Sequence, residues 1–379
     1  MWSFAKLINA NYIPFNVINR FGSTAAGLRR FYILLTAVST ILIIIGASFF
    51  RLSQNVLGTP KPFGASTLQT TRVRAPEDTA QGQKDFSTTK PFIYLTQTEQ
   101  CLPPNMASSA QIGDPRTCNC DVIVLSYRAK CQEEKPDSHI TYVFDPTTSW
   151  SSGRNELFFS AMGRQPGYHY YIFIDDDAVL RFNEFTPPEM KKLQPFRTFE
   201  EWLLDYEPAL GVVNYRRHSA SWNFDRRKNL CGITNRSMVI PTVWFDGVIN
   251  AYHHKAVTHI LPYPTIGKKE SWYIPNKHIM SAAELTFRGQ VMMYVPVSVR
   301  NSGHSSYPKA VAPKVMQTYW RKFIEKIRQR APSVYKNHSI WEEFKQGLRG
   351  YMNNSTTHCM NATAHLPIAP FAHFERQTL

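Results

Sequence analysis

Three consecutive carboxylates, Asp175, Asp176 and Asp177, follow the apolar run Tyr171-Ile172-Phe173-Ile174. Adjacent carboxylates repel one another, and a fold that sets them beside a buried strand needs a cation or strong hydrogen-bond donors close by. Hard oxygen donors suit Mg2+ or Mn2+, and such an ion holds phosphate oxygens in turn. The four apolar residues are aromatic or β-branched, the composition of a strand buried on both faces. An acidic turn capping the next element is the bland alternative. Open α/β sheets bind ligands at the carboxyl ends of their strands, which favours a metal–diphosphate site.

The elements around the triplet fit such a sheet. Asp121–Tyr127 and Ile140–Phe144 are apolar runs of strand length, and Asn155–Met162 has a helical pattern that Gly163–Gly167 breaks before the Tyr170–Ile174 strand. Strand, connection, strand, helix, strand is the rhythm of a parallel α/β sheet. A short helix at Phe199–Leu204, a strand at Ala209–Tyr215 and two apolar segments, Met238–Ile240 and Trp244–Ile249, about a turn at Pro241 continue it. His278–Phe287 reads as a helix stopped by Gly289, and Val291–Val299 as a strand whose Pro296 requires an edge or a bulge. Val315–Ile327 is amphipathic, and Trp341, Phe344 and Leu348 mark a last short helix.

The chain of 379 residues is 43% hydrophobic and 13% aromatic, enough for a packed core and outside the range of disordered proteins. Its net charge of +15 implies anionic partners. Nucleic acid is the least supported of these, because no RNP-type aromatic motif, Cys/His zinc spacing or compact basic helix is present. Phe31–Phe50 contains 20 residues without a charge, the length of a membrane-spanning helix, and Arg29 and Arg30 precede it. A cleaved signal peptide has a shorter apolar core, about 7–15 residues. The expectation is therefore a retained type II anchor. All six cysteines (Cys101, Cys118, Cys120, Cys131, Cys231, Cys359) and the glycosylation sequons at Asn235, Asn337, Asn353, Asn354 and Asn361 follow it, as an oxidising lumen requires. The pairing of the cysteines is open at this point. Residues 1–30 form a cytosolic tail, 31–50 the anchor, 51–117 an extended Thr/Pro/Gln-rich stem, 118–308 the catalytic domain, and 309–379 a basic helical segment with a loose tail.

Taken in order, these pieces resemble the GT-A fold of nucleotide-sugar glycosyltransferases, in the broad family-2-like layout, over about residues 119–305. Gly153-Arg154-Asn155 is similar to the element that precedes the third strand of such enzymes and helps hold the nucleotide. YYIFIDDD resembles their DxD strand end. Glu270, a helix, Arg288-Gly289, a strand and His304 resemble the later acidic–helix–Arg-x-x-Gly–strand–His succession. Glu270 stands alone after Lys268 and Lys269 where the family carries an acidic pair. The resemblance implies an α/β Rossmann-like fold and a metal-dependent transferase of the Golgi or ER membrane. Its donor would be a UDP- or GDP-sugar, its cofactor Mn2+ or Mg2+, and its acceptor a glycan, glycoprotein or glycolipid. It also implies that one or both of Asp175 and Asp177 bind the metal, that His304 supplies a third ligand or a phosphate contact, that Asp176 orients the ribose or the sugar, and that Arg154 pairs with phosphate. Asp145, ending the second strand, is the candidate for the nucleobase. Glu270, and next Asp246 in Trp244-Phe245-Asp246-Gly247, are candidates for the general base of an inverting reaction.

Trp222, Trp244, Trp272 and Tyr273 are aromatic candidates for sugar stacking or core packing. The basic groups Arg216-Arg217, Arg226-Arg227-Lys228 and Lys268-Lys269 suit an anionic acceptor. His253, His254 and His259 suggest a metal, but no cysteine or carboxylate completes a tight spacing. Adjacent residues also point apart on either a helix or a strand, so these histidines read as structural or acceptor-side. Two other classes compete with the transferase. A membrane-anchored, non-catalytic glycan-binding protein explains the anchor, cysteines and sequons without explaining the aspartates. A metal phosphohydrolase lacks a matching set of downstream ligands.

Overall fold

A computed structural model describes residues 90–108, 111–132, 139–164, 167–184, 186–215, 239–242, 245–265, 271, 273–301, 313–345 and 368–377. Nine strands among them form one sheet: β1 (Phe92–Thr98), β2 (Cys120–Ser126), β3 (Ile140–Phe144), β4 (Tyr170–Ile174), β5 (Ala178–Phe182), β6 (Leu210–Asn214), β7 (Val239–Pro241), β8 (Ile249–His253) and β9 (Val291–Asn301). The strand order is β3-β2-β1-β4-β8-β6-β9-β5, with β7 also on β9. β3, β2, β1 and β4 run parallel, as do β6 and β9, and β8 enters antiparallel between β4 and β6. The α-helices of six or more residues are α1 (Trp150–Met162), α2 (Pro195–Tyr206), α3 (His254–Ile260), α4 (Tyr273–Thr286), α5 (Pro313–Arg330) and α6 (Ile340–Lys345). The expected mixed α/β fold, a large and mostly parallel sheet flanked by helices, is present. The α/β class is therefore observed.

Alternation along the strands builds two cores. Ile93, Leu95, Ile123, Leu125, Tyr171 and Phe173 face one layer, with Leu157 of α1, Ile279 and Ala283 of α4 and Ile324 of α5. Phe92, Tyr94, Val122, Val124, Tyr170 and Ile172 face the other, where α2 supplies Phe196, Phe199 and Trp202. All five residues of β4 are buried, as a run without alternation predicts for a strand covered on both sides.

Two expected boundaries are corrected. β1 lies in the span 51–117 assigned to the stem, yet it is a central strand between β2 and β4. The C-terminal segment is not an appendage either, because Trp320, Phe323, Ile324, Ile327, Trp341 and Phe344 are all buried, most of them in the sheet's own core. Pro296 sits at the expected bulge: the β6–β9 register jumps from Val213↔Tyr294 to Asn214↔Ser298. Gly289 ends the α4 segment with φ 81°, a conformation that favours glycine.

Cys101 pairs with Cys131, and Cys118 with Cys120. Cys231, Cys359 and the sequons other than Asn337 lie outside the described residues, and Asn337 is exposed. Among the described residues no helix is long and apolar enough to cross a membrane, and Phe31–Phe50 lies outside them.

Candidate functional site

A cleft of about 500 Å³ opens at the carboxyl ends of β1, β2 and β4. Asp175, Asp176, Asp177, Asp246 and Arg154 all line it, with Glu99 at the edge. The three aspartates do not continue β4. The Asp175 amide donates to Val248 O (2.9 Å) and the Ala178 amide to Asp175 O (3.1 Å), which closes a tight turn into β5. Extended backbone would aim Asp175 and Asp177 to the same side, and this turn is not extended backbone.

Arg154 stands at the centre of the site, but not as a free phosphate ligand. Its side chain is only 4% exposed, and Nη2 donates to Asp175 Oδ1 (2.6 Å) and to Gly247 O (2.9 Å). Nη1 donates to Tyr263 Oη (3.3 Å), and the guanidinium lies 4.3 Å over the Trp150 ring. This corrects the expectation in two ways: Arg154 holds the turn and Gly247 in place, and Asp175 spends one oxygen on it. All three carboxylates of the turn are partly exposed, the Asp175 side chain by 24%. Burial pushes the Asp175 carboxyl up to about 7 against the pull of Arg154, and Asp246, Asp177 and Asp176 push the same way. Burial and then Asp177 raise Asp176 to about 6. The cleft thus carries more negative charge than it can hold fully ionised on its own.

The neighbours of Arg154 also have packing roles. Gly153 and Arg154 fall in the first turns of α1, which starts five residues earlier than the periodicity indicated. The start is a capping box: Ser149 Oγ accepts from the Ser152 amide (3.3 Å), and Ser152 Oγ accepts from the Ser149 amide (2.7 Å). A Cβ on Gly153 would overlap the Gln97 amide and stand 2.8 Å from Leu125 Cδ2, so this glycine lets α1 approach the sheet. Asn155 Nδ2 donates to Tyr263 O (2.9 Å) and Oδ1 accepts from the Tyr263 amide (2.7 Å), pinning the loop that carries Tyr263. Neither Gly153 nor Asn155 lines the cleft. Asp145 is half-buried and turned inward on its own loop, accepting from the Thr147 amide and hydroxyl (2.7 Å each), and it too stands outside the cleft lining.

Of the two expected bases, Asp246 is in the cleft, its Oδ1 accepting from the Val248 amide (3.0 Å). Glu270 and His304 lie outside the described residues, as do Trp222, Trp244, Trp272 and the expected basic groups of the acceptor side. Tyr273 packs under Lys277, whose Nζ is 4.1 Å from the ring centroid.

Lys277 escaped sequence reasoning, since a lysine in a helix is ordinarily solvated. It is fully buried in α4, and burial drives its ammonium well below the ordinary lysine range, opposed by the charge of Asp246. Tyr127, 37% exposed at the rim, and Trp150 were also missed as cleft aromatics. The histidine expectation is corrected as well. His253 ends β8 and His254 starts α3, so their rings do not diverge but lie 4.2 Å apart, joined by His169. His259 packs against Phe287 instead.

No protein-family model matches the chain, and no curated protein matches it significantly in sequence. Among solved structures, a mycobacterial protein is 13% identical with a TM-score of 0.30, over 64% of this chain and 76% of its own. The 4-diphosphocytidyl-2C-methyl-D-erythritol synthase of Anaerococcus prevotii is 12% identical with a TM-score of 0.27, over 61% of this chain and 95% of its own. Likenesses this low carry no argument about fold or function.

Proposed function

We propose that this chain is a metal-dependent glycosyltransferase of the GT-A type, transferring a sugar from a UDP- or GDP-linked donor to a hydroxyl of a glycan, glycoprotein or glycolipid. One observation carries the proposal. Five carboxylates (Glu99, Asp175, Asp176, Asp177 and Asp246) line a strand-end cleft against one guanidinium among its described residues, and that guanidinium is already paired. A diphosphate enters such a cleft only with a cation. The donor set is hard oxygen, which fits Mn2+ or Mg2+. Asp176 and Asp177 would hold the ion, and Asp175, locked by Arg154, fixes the turn that presents them. When bound, the ion supplies Lewis-acid stabilisation of the departing diphosphate.

Asp246 takes the role of base in an inverting reaction. The acceptor oxygen bonds to the anomeric carbon while the bond from that carbon to the β-phosphate oxygen breaks. The electron pair leaves with the diphosphate, and the acceptor proton passes to the Asp246 carboxylate. Tyr127 offers a ring for the base or sugar of the donor. A type II anchor at Phe31–Phe50 and a Golgi or ER lumenal site form part of the same proposal, supported by the two cysteine pairs, which suit an oxidising compartment.

Thermal shift of the full-length, detergent-solubilised protein with UDP-, GDP- and CMP-sugars, with and without Mn2+, tests it. Stabilisation by one nucleotide class that needs the metal and disappears in Asp175→Asn/Asp177→Asn is expected. Absence of any donor shift in folded protein would sink the transferase and favour the glycan-binding alternative.

A further inference from the structure

The amino end of β4 carries a second cluster, built from different chemistry and independent of the transferase proposal. His169 immediately precedes β4, His253 closes β8 and His254 opens α3. Each brings one ring nitrogen to within 4.8 Å of the others. The backbone fixes this convergence. Antiparallel register sets Tyr170 opposite His253, and the His254 amide donates to His169 O (2.9 Å). Glu207, the C-cap of α2, reaches in with Oε1 3.1 Å from His169 Nε2. It does so from left-handed backbone (φ 42°), a conformation non-glycine residues rarely adopt.

The spacing about His169 Nε2, the atom through which Glu207 meets the three-histidine cluster, is that of a coordination shell. Four donors bound to a tetrahedral ion at about 2.0–2.1 Å stand roughly 3.3 Å from one another. His253 Nε2 lies 3.2 Å from His169 Nε2, and Glu207 Oε1 lies 3.1 Å from the same atom. The cluster is reachable, because His253 is buried whereas His169, His254 and Glu207 are partly or largely exposed.

We propose that His169, His253 and His254, with Glu207 as the fourth donor, form a structural Zn2+ site that staples β4, β8, α3 and the end of α2. Three imidazoles and a carboxylate suit Zn2+, where the all-oxygen cleft suits Mn2+ or Mg2+. The two sites are separated by the length of β4, about 20 Å at roughly 3.3 Å per residue. Loading has a stated cost. Binding through His253 Nε2 moves that ring's proton to Nδ1, which now accepts the Lys255 amide (3.2 Å), so the first turn of α3 loses a cap.

The test is a Co2+ titration of chelator-treated, full-length protein, with cobalt as the visible stand-in for Zn2+. One equivalent per chain should give the absorption of four-coordinate cobalt, displaced by Zn2+. The band should persist in Asp175→Asn/Asp177→Asn and in His259→Gln, and vanish in His169→Gln and His254→Gln. Absence of the band in folded wild-type protein, or its survival in both histidine variants, overturns the site. Should those variants fail to fold, Glu207→Gln on the exposed side decides: a changed spectrum with about tenfold or greater weakening is expected, and an unchanged spectrum and affinity rejects the four-donor site.

Discussion

One five-residue strand, β4, ends in carboxylates on one side and starts from imidazoles on the other, and the two ends handle buried ionisable groups in opposite ways. At the carboxyl end a buried guanidinium offsets part of the charge that burial disfavours: Arg154 pairs with Asp175 under the Trp150 ring. At the amino end the charge is discarded, and burial keeps His253 and His254 neutral. The first device leaves surplus negative charge that draws a cation and its anionic ligand. The second leaves lone pairs. A site can thus be prepared by a surplus of one charge or by a convergence of neutral donors, and the chemistry of the expected ion differs accordingly.

Breaking the guanidinium gives the largest expected effect. Arg154→Met strands three acceptors, the Asp175 carboxylate among them, so urea denaturation should show a loss of about 3–5 kcal/mol. Arg154→Met combined with Asp175→Asn should recover part of it, and a neutral Arg154→Met would dissolve the contrast between the ends. Next, Gly153→Ala should cost about 1–3 kcal/mol by forcing α1 off Gln97 and Leu125, with cleft binding weakened because Arg154 moves with the helix.

The pH dependence of unfolding sharpens the comparison further. Asp175 and Asp176 have folded pKa values above their unfolded ones, so the folded state holds extra protons and stability falls as pH rises from about 4 to 7. Glu200, raised to about 7 by burial, adds to that limb. His253 and His254 are depressed, so the unfolded state holds the extra protons and stability rises as pH rises from about 4 to 6.5. Buried His278, pushed to about 3, adds to this second limb. Asp175→Asn/Asp176→Asn should expose the rising limb, and His254→Gln the falling one; parallel profiles for both variants would refute the assignment. The smallest effect is expected from His169→Gln in metal-free protein, below about 1 kcal/mol, since a partly exposed ring loses little on truncation.

Much of the sheet could be read in advance, for local reasons. Ile140–Phe144 and Tyr170–Ile174 match their strands residue for residue, because β-branched and aromatic runs end sharply at aspartate. β1 was hidden by its surroundings: Phe92–Leu95 is an apolar run, but it follows a long Thr/Pro/Gln-rich stretch and passes into Thr-Gln-Thr. α1 began early because its capping box uses Ser152 where glutamate or glutamine is the usual signal. The placing of Asp175–Asp177 at a ligand cleft followed from a strand end, whereas the inward turn of Arg154 depends on Trp150, Gly247 and Tyr263 packing from three segments. His169 and His253 are 84 residues apart, and only the β4–β8 register brings them together. No local pattern contains that information.

The placing of β1 has a mechanical consequence. The N-terminal side of the folded unit connects not to an edge but to a strand held by seven register positions to β2 and four to β4. Tension arriving from upstream runs along the strand axis, loading those ladders in shear so that their bonds share the force and fail together. An edge strand pulled sideways would unzip one bond at a time. A tether on that side therefore grips this protein through its middle.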